Sequence, residues 1–287
     1  MQSFQTAALA ALLVGLVVLA LVQAWHIWTG PVQHGLGLHT LVAFGQSVSA
    51  NGVMTQINGV PDQSITVQVG DIRIPGFASQ LVMVAVLSND ASAARAQLSS
   101  PSLRAMINDD IEPVIANKVF GSPIEPYWRG SRPIPLVVNE SLNLFVQNAQ
   151  AAAVLHYGLV WLADGPVAPV TGNVFSIRAT STVALVAATW VNGPLVFTQV
   201  LPYGQYQVVG MRARGTNLAA ARLVFPGAFN RPGVPACNVI GGLDFDDARF
   251  GNMGVFGQFD STVPPTVDCL GDTDAAQTYV FDLIKVK

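Results

Sequence analysis

Two stretches of the chain repeat each other without a gap. Residues 73–104 read RIPGFASQLVMVAVLSNDASAARAQLSSPSLR, and residues 200–231 read VLPYGQYQVVGMRARGTNLAAARLVFPGAFNR. Pro75 aligns with Pro202, Gln80 with Gln207, Val82 with Val209, Ala93-Ala94-Arg95 with Ala220-Ala221-Arg222, and Arg104 with Arg231, every pair 127 positions apart. In a chain of 287 residues that spacing predicts two domains of similar size, each long enough to bury its own core. Both halves also close on an apolar segment, Ala153 to Trp161 in the first and Thr278 to Val286 in the second. Between them lies DGPVAPVTG, residues 164–172, whose prolines and glycines mark a linker.

From Leu38 onward the pattern is one of short β-branched and apolar runs broken by Gly, Pro, Asn and Asp, which predicts strands. In the first half these are Leu41 to Phe44, Ser64 to Val69, Gln80 to Leu87, Leu136 to Val138, Leu142 to Gln147 and Val154 to Leu162. One helix is expected over Ser102 to Lys118, divided or kinked at Pro113. In the second half the expected strands are Ser176 to Arg178, Thr182 to Trp190, Leu195 to Val200, Gln205 to Arg214, Ala221 to Phe225, Met253 to Phe259 and Tyr279 to Val286. Six to eight strands per half with long connections fit an all-β Greek-key sandwich, the jelly roll, better than an up-and-down barrel. A pair of immunoglobulin-like sandwiches is the main rival, although their Cys-Trp-Cys arrangement is missing.

Ahead of the strands, Ala7 to Val22 is continuously apolar, Trp25, Ile27 and Trp28 follow, and the first charged side chain of the chain is Asp62. Length and interfacial tryptophans predict a membrane-spanning helix. A cleaved signal peptide ending at Val22-Gln23-Ala24 is the alternative, but Met1 to Thr6 carries no Lys or Arg, which favours a retained helix. The expected organisation is a membrane helix and connector over 1–36, a first jelly-roll domain over 37–164 and a second over 165–287.

Charged residues make up 11% of the chain and apolar residues 51%, so part of the surface is expected to be covered by lipid, by neighbouring copies, or by both. The net charge of −3 and the lack of a basic arm argue against direct binding of nucleic acid. Phosphate-loop, dinucleotide, zinc-protease and nucleophile-elbow motifs are all missing. Of four histidines, His26, His34 and His39 lie in or just after the apolar segment, and His156 sits in a predicted apolar strand as a core or interface residue. Asp244-Phe245-Asp246-Asp247, with Asp260, Asp268, Asp272 and Asp274, has carboxylates suited to calcium but not the spacing of an EF-hand, and reads as a solvated loop. Arg95 and Arg222 are expected to make structural hydrogen bonds, and Trp128, Trp161 and Trp190 to pack. Cys237 and Cys269 leave two states open, a disulfide or two buried thiols. No catalytic, cofactor-binding or metal-binding residue is assigned, and the chain is not expected to be an enzyme.

The paired segments 73–104 and 200–231, the linker 164–172 and the two similar closing strands together resemble the double jelly-roll major capsid proteins of tailless icosahedral viruses, many of which enclose a membrane. The resemblance implies a structural protein of the virion, with two sandwiches side by side and homotrimers that tile a shell against neighbouring subunits. It also implies attachment to an internal bilayer through the N-terminal helix. The rival is a membrane-anchored cell-surface or periplasmic binding module, which predicts a disulfide between Cys237 and Cys269.

Overall fold

Leu142, Leu144 and Val146 alternate with Asn143, Phe145 and Gln147 and fold as a strand with one face inward, whereas the mostly apolar runs near 81–87 and 154–163 fold as strands buried on both faces. The computed structural model describes residues 38–49, 52–88, 93–106, 110–111, 127–128, 133–165, 167–237 and 248–286. These residues are all-β apart from one short helix.

In chain order the first half supplies β1 (His39–Val48), β2 (Thr55–Ile57), β3 (Thr66–Gln68), β4 (Asp71–Arg73), β5 (Gln80–Ser88) and β6 (Ala93–Ser99). After the helix α1 (Pro101–Met106) come β7 (Asp110–Ile111), β8 (Tyr127–Trp128), β9 (Ile134–Pro135), β10 (Ser141–Asn148) and β11 (Val154–Ala163). The second half supplies β12 (Val174–Ser181), β13 (Val191–Gly193), β14 (Val196–Phe197), β15 (Gln205–Arg214), β16 (Leu218–Val224), β17 (Gly233–Cys237), β18 (Gly257–Asp260), β19 (Thr266–Gly271) and β20 (Gln277–Lys285).

One sheet of the first half runs β1-β11-β5-β8 and the other β3-β4-β10-β6-β7. Val42, Phe44, Val84 and Val160 from the one meet Ile72, Ala96, Leu142 and Leu144 from the other in a common core. In the second half a single curled sheet runs β13-β19-β16-β17-β15-β20-β12-β14, with β18 beside β15. Its seam is narrow: β15 and β17 meet in parallel only at Ala213↔Ala236 and Arg214↔Cys237. If β2, β3, β9 and β14 are set aside as short additions and the remaining strands of each half are numbered 1 to 8, both halves run 1-8-3-6 on one side and 2-7-4-5 on the other. That order is consistent with a jelly roll. The repeated sequence segments occupy equivalent places in it, β5 and β6 in the first half and β15 and β16 in the second.

The sheet β1-β11-β5 has no solvent face. Its even-numbered side chains on β11, such as Val160 and Leu162, fill the first half's own core. The odd ones, Leu155, Tyr157, Leu159 and Trp161, join Leu41 and Met83 in the core of the second half. Each such side chain, once fully buried, contributes roughly 1.5–3 kcal/mol relative to exposure. Two polar tips anchor the packing: Trp161 Nε1 donates to Gly233 O at 2.7 Å, and the Tyr157 hydroxyl donates to Gly271 O at 2.5 Å while accepting from Ala188 N at 2.7 Å.

Several sequence expectations need correction. The helix expected over Ser102 to Lys118 is short, ending at Met106. Ser100 Oγ caps its start through Leu103 N, and Asp110 and Ile111 then pair with Gln97 and Ala96 as β7. Thr182 to Trp190 is not a strand. Val183 N bonds to Gln277 Oε1 at 3.0 Å and Leu185 N to Asp274 O at 2.9 Å, so a side chain and a loop carbonyl stand where a neighbouring strand would be. Leu136 to Val138 leads into a turn closed at Asn139, which has φ 65°. The strand expected from Met253 begins only at Gly257, after Gly254 with φ 72°. The apolar run Ala7 to Val22 lies outside the described residues, and among those described no helix is long and apolar enough to cross a membrane.

Candidate functional site

Among the described residues Arg222 is the largest charged side chain in the interior, 1% exposed, on β16 where that sheet meets the first half. Its neighbours Ala221 and Leu223 point into the second half's core, and the pleat turns Arg222 the other way. There its Nε bonds to Asp268 Oδ2 at 3.0 Å on β19, and its Nη1 bonds to Asp62 Oδ2 at 2.7 Å and to Leu41 O at 2.9 Å in the first half. The Trp190 ring covers the guanidinium, with Cζ 3.9 Å from the ring centroid. One cation thus holds a carboxylate from each half, Nε on one and Nη1 on the other, through a planar fork of donors that lysine does not offer.

Asp62 is positioned by its own loop, accepting from Ser64 N at 2.5 Å, Ser64 Oγ at 2.6 Å and Ile65 N at 3.1 Å. Burial alone would push its carboxyl up, but Arg222 and the Ser64 hydrogen bonds hold it below the usual carboxylate range. Arg231 stands close by. Its N donates to Thr40 Oγ1 at 3.0 Å, and Leu41 N donates to Arg231 O at 2.7 Å, so backbone as well as side chains cross the junction. A cleft of about 330 Å³ opens beside these groups, lined among others by Asp62, Trp190, Asn192, Arg222, Arg231 and Asp268. Two cations face two carboxylates, a balanced arrangement suited to holding two bodies in register and offering no net charge to a ligand.

Beside this junction His39 is fully buried, edge-on to Phe256 with centroids 4.7 Å apart, and neither ring nitrogen has a hydrogen-bond partner among the described residues. Desolvation pushes its pKa down to about 3, so the ring is neutral.

The residues singled out from sequence scatter. Arg222 makes the structural bonds expected of it, and its repeat partner Arg95 lies exposed on β6. His156 is buried on β11 with Nδ1 2.9 Å from Val154 O. Asp244 to Asp247 lies outside the described residues. Asp260 accepts from Thr262 in a turn, Asp268 belongs to Arg222, and Asp274 accepts from Thr216 N at 3.2 Å. Among the described residues no group of three or more His, Cys, Asp or Glu side chains is arranged to hold a metal ion. Trp161 and Trp190 pack as described, and Trp128 lies on β8. Cys237 and Cys269 are buried thiols outside any disulfide, the latter 3.1 Å from the Tyr279 hydroxyl. Sequence reasoning missed Asp62, Arg231 and Tyr157. Asp62 stood out only as the first charge in the chain, and Arg231 only as the repeat partner of Arg104.

No protein-family model and no curated protein matches the chain. Among solved structures it is similar to the crystal structure of the STIV MCP, at 8% identity and a TM-score of 0.24, over 85% of this chain and 97% of that one. It is also similar to the crystal structure of the major capsid protein P2 from bacteriophage PM2, at 9% identity and a TM-score of 0.23, over 87% of this chain and 98% of that one.

Proposed function

We propose that this chain is a structural capsid protein: two jelly-roll domains, 37–164 and 165–287, that stand side by side as one tile. Three copies form a pseudo-hexagonal unit of an icosahedral shell, and the N-terminal segment 1–36 ties each copy to an underlying bilayer. The observation that carries this reading is the identical 1-8-3-6 and 2-7-4-5 strand order in both halves, joined over a common core and pinned by Arg222. A rigid body with two near-equivalent halves makes a trimer with six similar corners, which can tile a closed surface through repeating contacts. Permanent shell contacts bury surfaces resembling a divided core, in keeping with a chain only 11% charged. The rival reading, a surface-displayed binding module, expects a Cys237–Cys269 disulfide, whereas both are thiols outside any disulfide.

The test is the mass of the full chain extracted in mild detergent, by light scattering, with negative-stain imaging of the same sample. Trimers of hexagonal outline, or larger sheets and shells, are expected. A monodisperse monomer would sink the trimeric tile as the resting unit.

A further inference from the structure

Strand direction sorts the loops of the second half to two ends. β12, β15, β17 and β19 run one way and β14, β16, β18 and β20 the other. The segments 198–204, 225–232 and 261–265 therefore gather at one end, together with the residues after β20. Gly204 N bonds to Ser261 Oγ at 3.1 Å, Ser261 N to Gly204 O at 3.0 Å and Val286 N to Gln205 O at 2.8 Å. The first half shares this end. The Leu41–Arg231 and Arg231–Thr40 bonds join the start of β1 to the 225–232 loop. His39 pairs with Ala163 at the end of β11, and Ser79 N bonds to Ala163 O at 2.9 Å, which brings the 74–79 loop alongside. Asn139 N bonds to Ile74 O at 2.9 Å and adds the turn before β10.

Five of the large apolar side chains left in the open lie here: Val137 is 59% exposed, Val200 96%, Tyr203 80%, Phe229 75% and Val263 54%, while Val53 and Val69 stand exposed away from this end. Isolated exposed apolar residues need no explanation, but four different loops of one end each present at least one. Segments 198–204, 225–230 and 261–265 contain no charged residue at all. Several of their backbone donors are satisfied within the loops. Ala228 N bonds to Phe225 O at 3.2 Å, Val263 N to Asp260 O at 2.9 Å and Thr262 N to Asp260 Oδ1 at 2.9 Å. A turn that already satisfies its own amides can enter a water-poor layer at low cost, whereas open amides there are expensive.

We propose that this end is a bilayer-contacting face, with Val200, Tyr203, Phe229 and Val263 inserted into the headgroup and upper acyl region. Lipid is the occupant to which three features point. The apolar groups stand on three separate loops, segments 198–204, 225–230 and 261–265 lack charge, and the chain enters β1 at this same end from the apolar run Ala7 to Val22. The inference deepens the membrane-anchoring part of the function proposed above and rests on it. The tips add a second attachment, and two attachment points fix the tilt of the tile on the membrane where one anchor does not.

The test reconstitutes the full chain into phosphatidylcholine vesicles with single substitutions Val200→Cys, Phe229→Cys and, at the opposite end, Val53→Cys, each carrying an environment-sensitive fluorophore; the two native thiols are buried. Labels at 200 and 229 are expected to shift to the blue and to lose intensity to a lipid-bound quencher, while the label at 53 does neither. If the chain floats with the vesicles but the labels at 200 and 229 stay water-exposed, this proposal fails and the N-terminal anchor survives. Labels shielded from an aqueous quencher yet untouched by the lipid-bound one would assign the face to another protein copy and overturn the lipid contact. Quenching at all three positions would overturn its sidedness. A chain that does not float at all removes the anchor and this inference together.

Discussion

β10 and β11 are neighbours in the chain, separated by one turn, and bury their side chains in opposite styles. β10 alternates strictly, Leu142, Leu144 and Val146 inward and Asn143, Phe145 and Gln147 outward, while every residue of β11 is buried. The difference lies in what covers the second face. The outward side chains of β10 stay half-buried, with Asn143 and Gln147 touched by Gln56 and Gly52, whereas beyond β11 stands the second half, reached through Trp161 and Gly233, 72 residues apart. A strand packed on one side keeps the period-two signature of its pleat. One packed on both sides loses it and reads as a plain apolar run.

The sharpest way to break the contrast is at Gly158, the inward position of β11 where a Cβ would overlap the Leu144 side chain of β10. Gly158→Val leaves neither sheet room to close and is expected to abolish the folded state, read as loss of soluble protein and of a cooperative melt, whereas Gly76→Ala in open space leaves both unchanged. Next is the pin between the halves. Arg222→Met strands Asp62 and Asp268 beside an apolar group and is expected to cost about 3–5 kcal/mol in urea unfolding. Adding Asp62→Asn and Asp268→Asn is expected to recover much of that loss, because the unpaired charges are then gone.

Acid tests the same junction through His39. Its folded pKa lies near 3 and its unfolded value near 6.5, so above pH 6.5 the group is neutral in both states and stability is indifferent to pH. Below 6.5 the unfolded chain takes a proton that the folded one refuses, and stability falls by roughly 1.4 kcal/mol per pH unit down towards pH 3. His156, whose pKa burial also lowers, adds to the slope. His39→Phe is expected to flatten the profile by one proton, which chemical unfolding at a series of pH values between 4 and 7 measures. The smallest effect is the control: Phe145→Thr on the outward face of β10 is expected to change stability by less than about 1 kcal/mol in the isolated chain, against about 2–4 kcal/mol for Leu159→Thr on β11. Equal costs at the two sites would erase the distinction between the strands.

Much of the architecture was legible because it is written locally. Gln205 to Arg214 matches β15 residue for residue, and the 127-residue repeat lands on equivalent strands because both copies face the same packing problem. What failed was local logic overruled by tertiary partners. Thr182 to Trp190 has a strand-like pattern, but Gln277 takes the donor that a strand would have used. Ser102 to Lys118 has helical spacing, but Ile111 is claimed by Ala96 in the sheet. The junction was half visible: Arg222 stood out through its repeat, while Asp62, 160 positions away, has no motif to link them.

The pairing of β1 with β11 sets Val42 opposite Val160 and makes the first strand of the body the partner of the last strand of its half. At the roughly 5–20 residues per second of protein synthesis, β1 waits on the order of ten seconds for that partner to be made. Through that interval its apolar residues on both faces have neither a sheet nor a second half to cover them. The nascent chain is therefore most vulnerable to aggregation at its beginning, and folding of the body is expected to be slow, late and all at once.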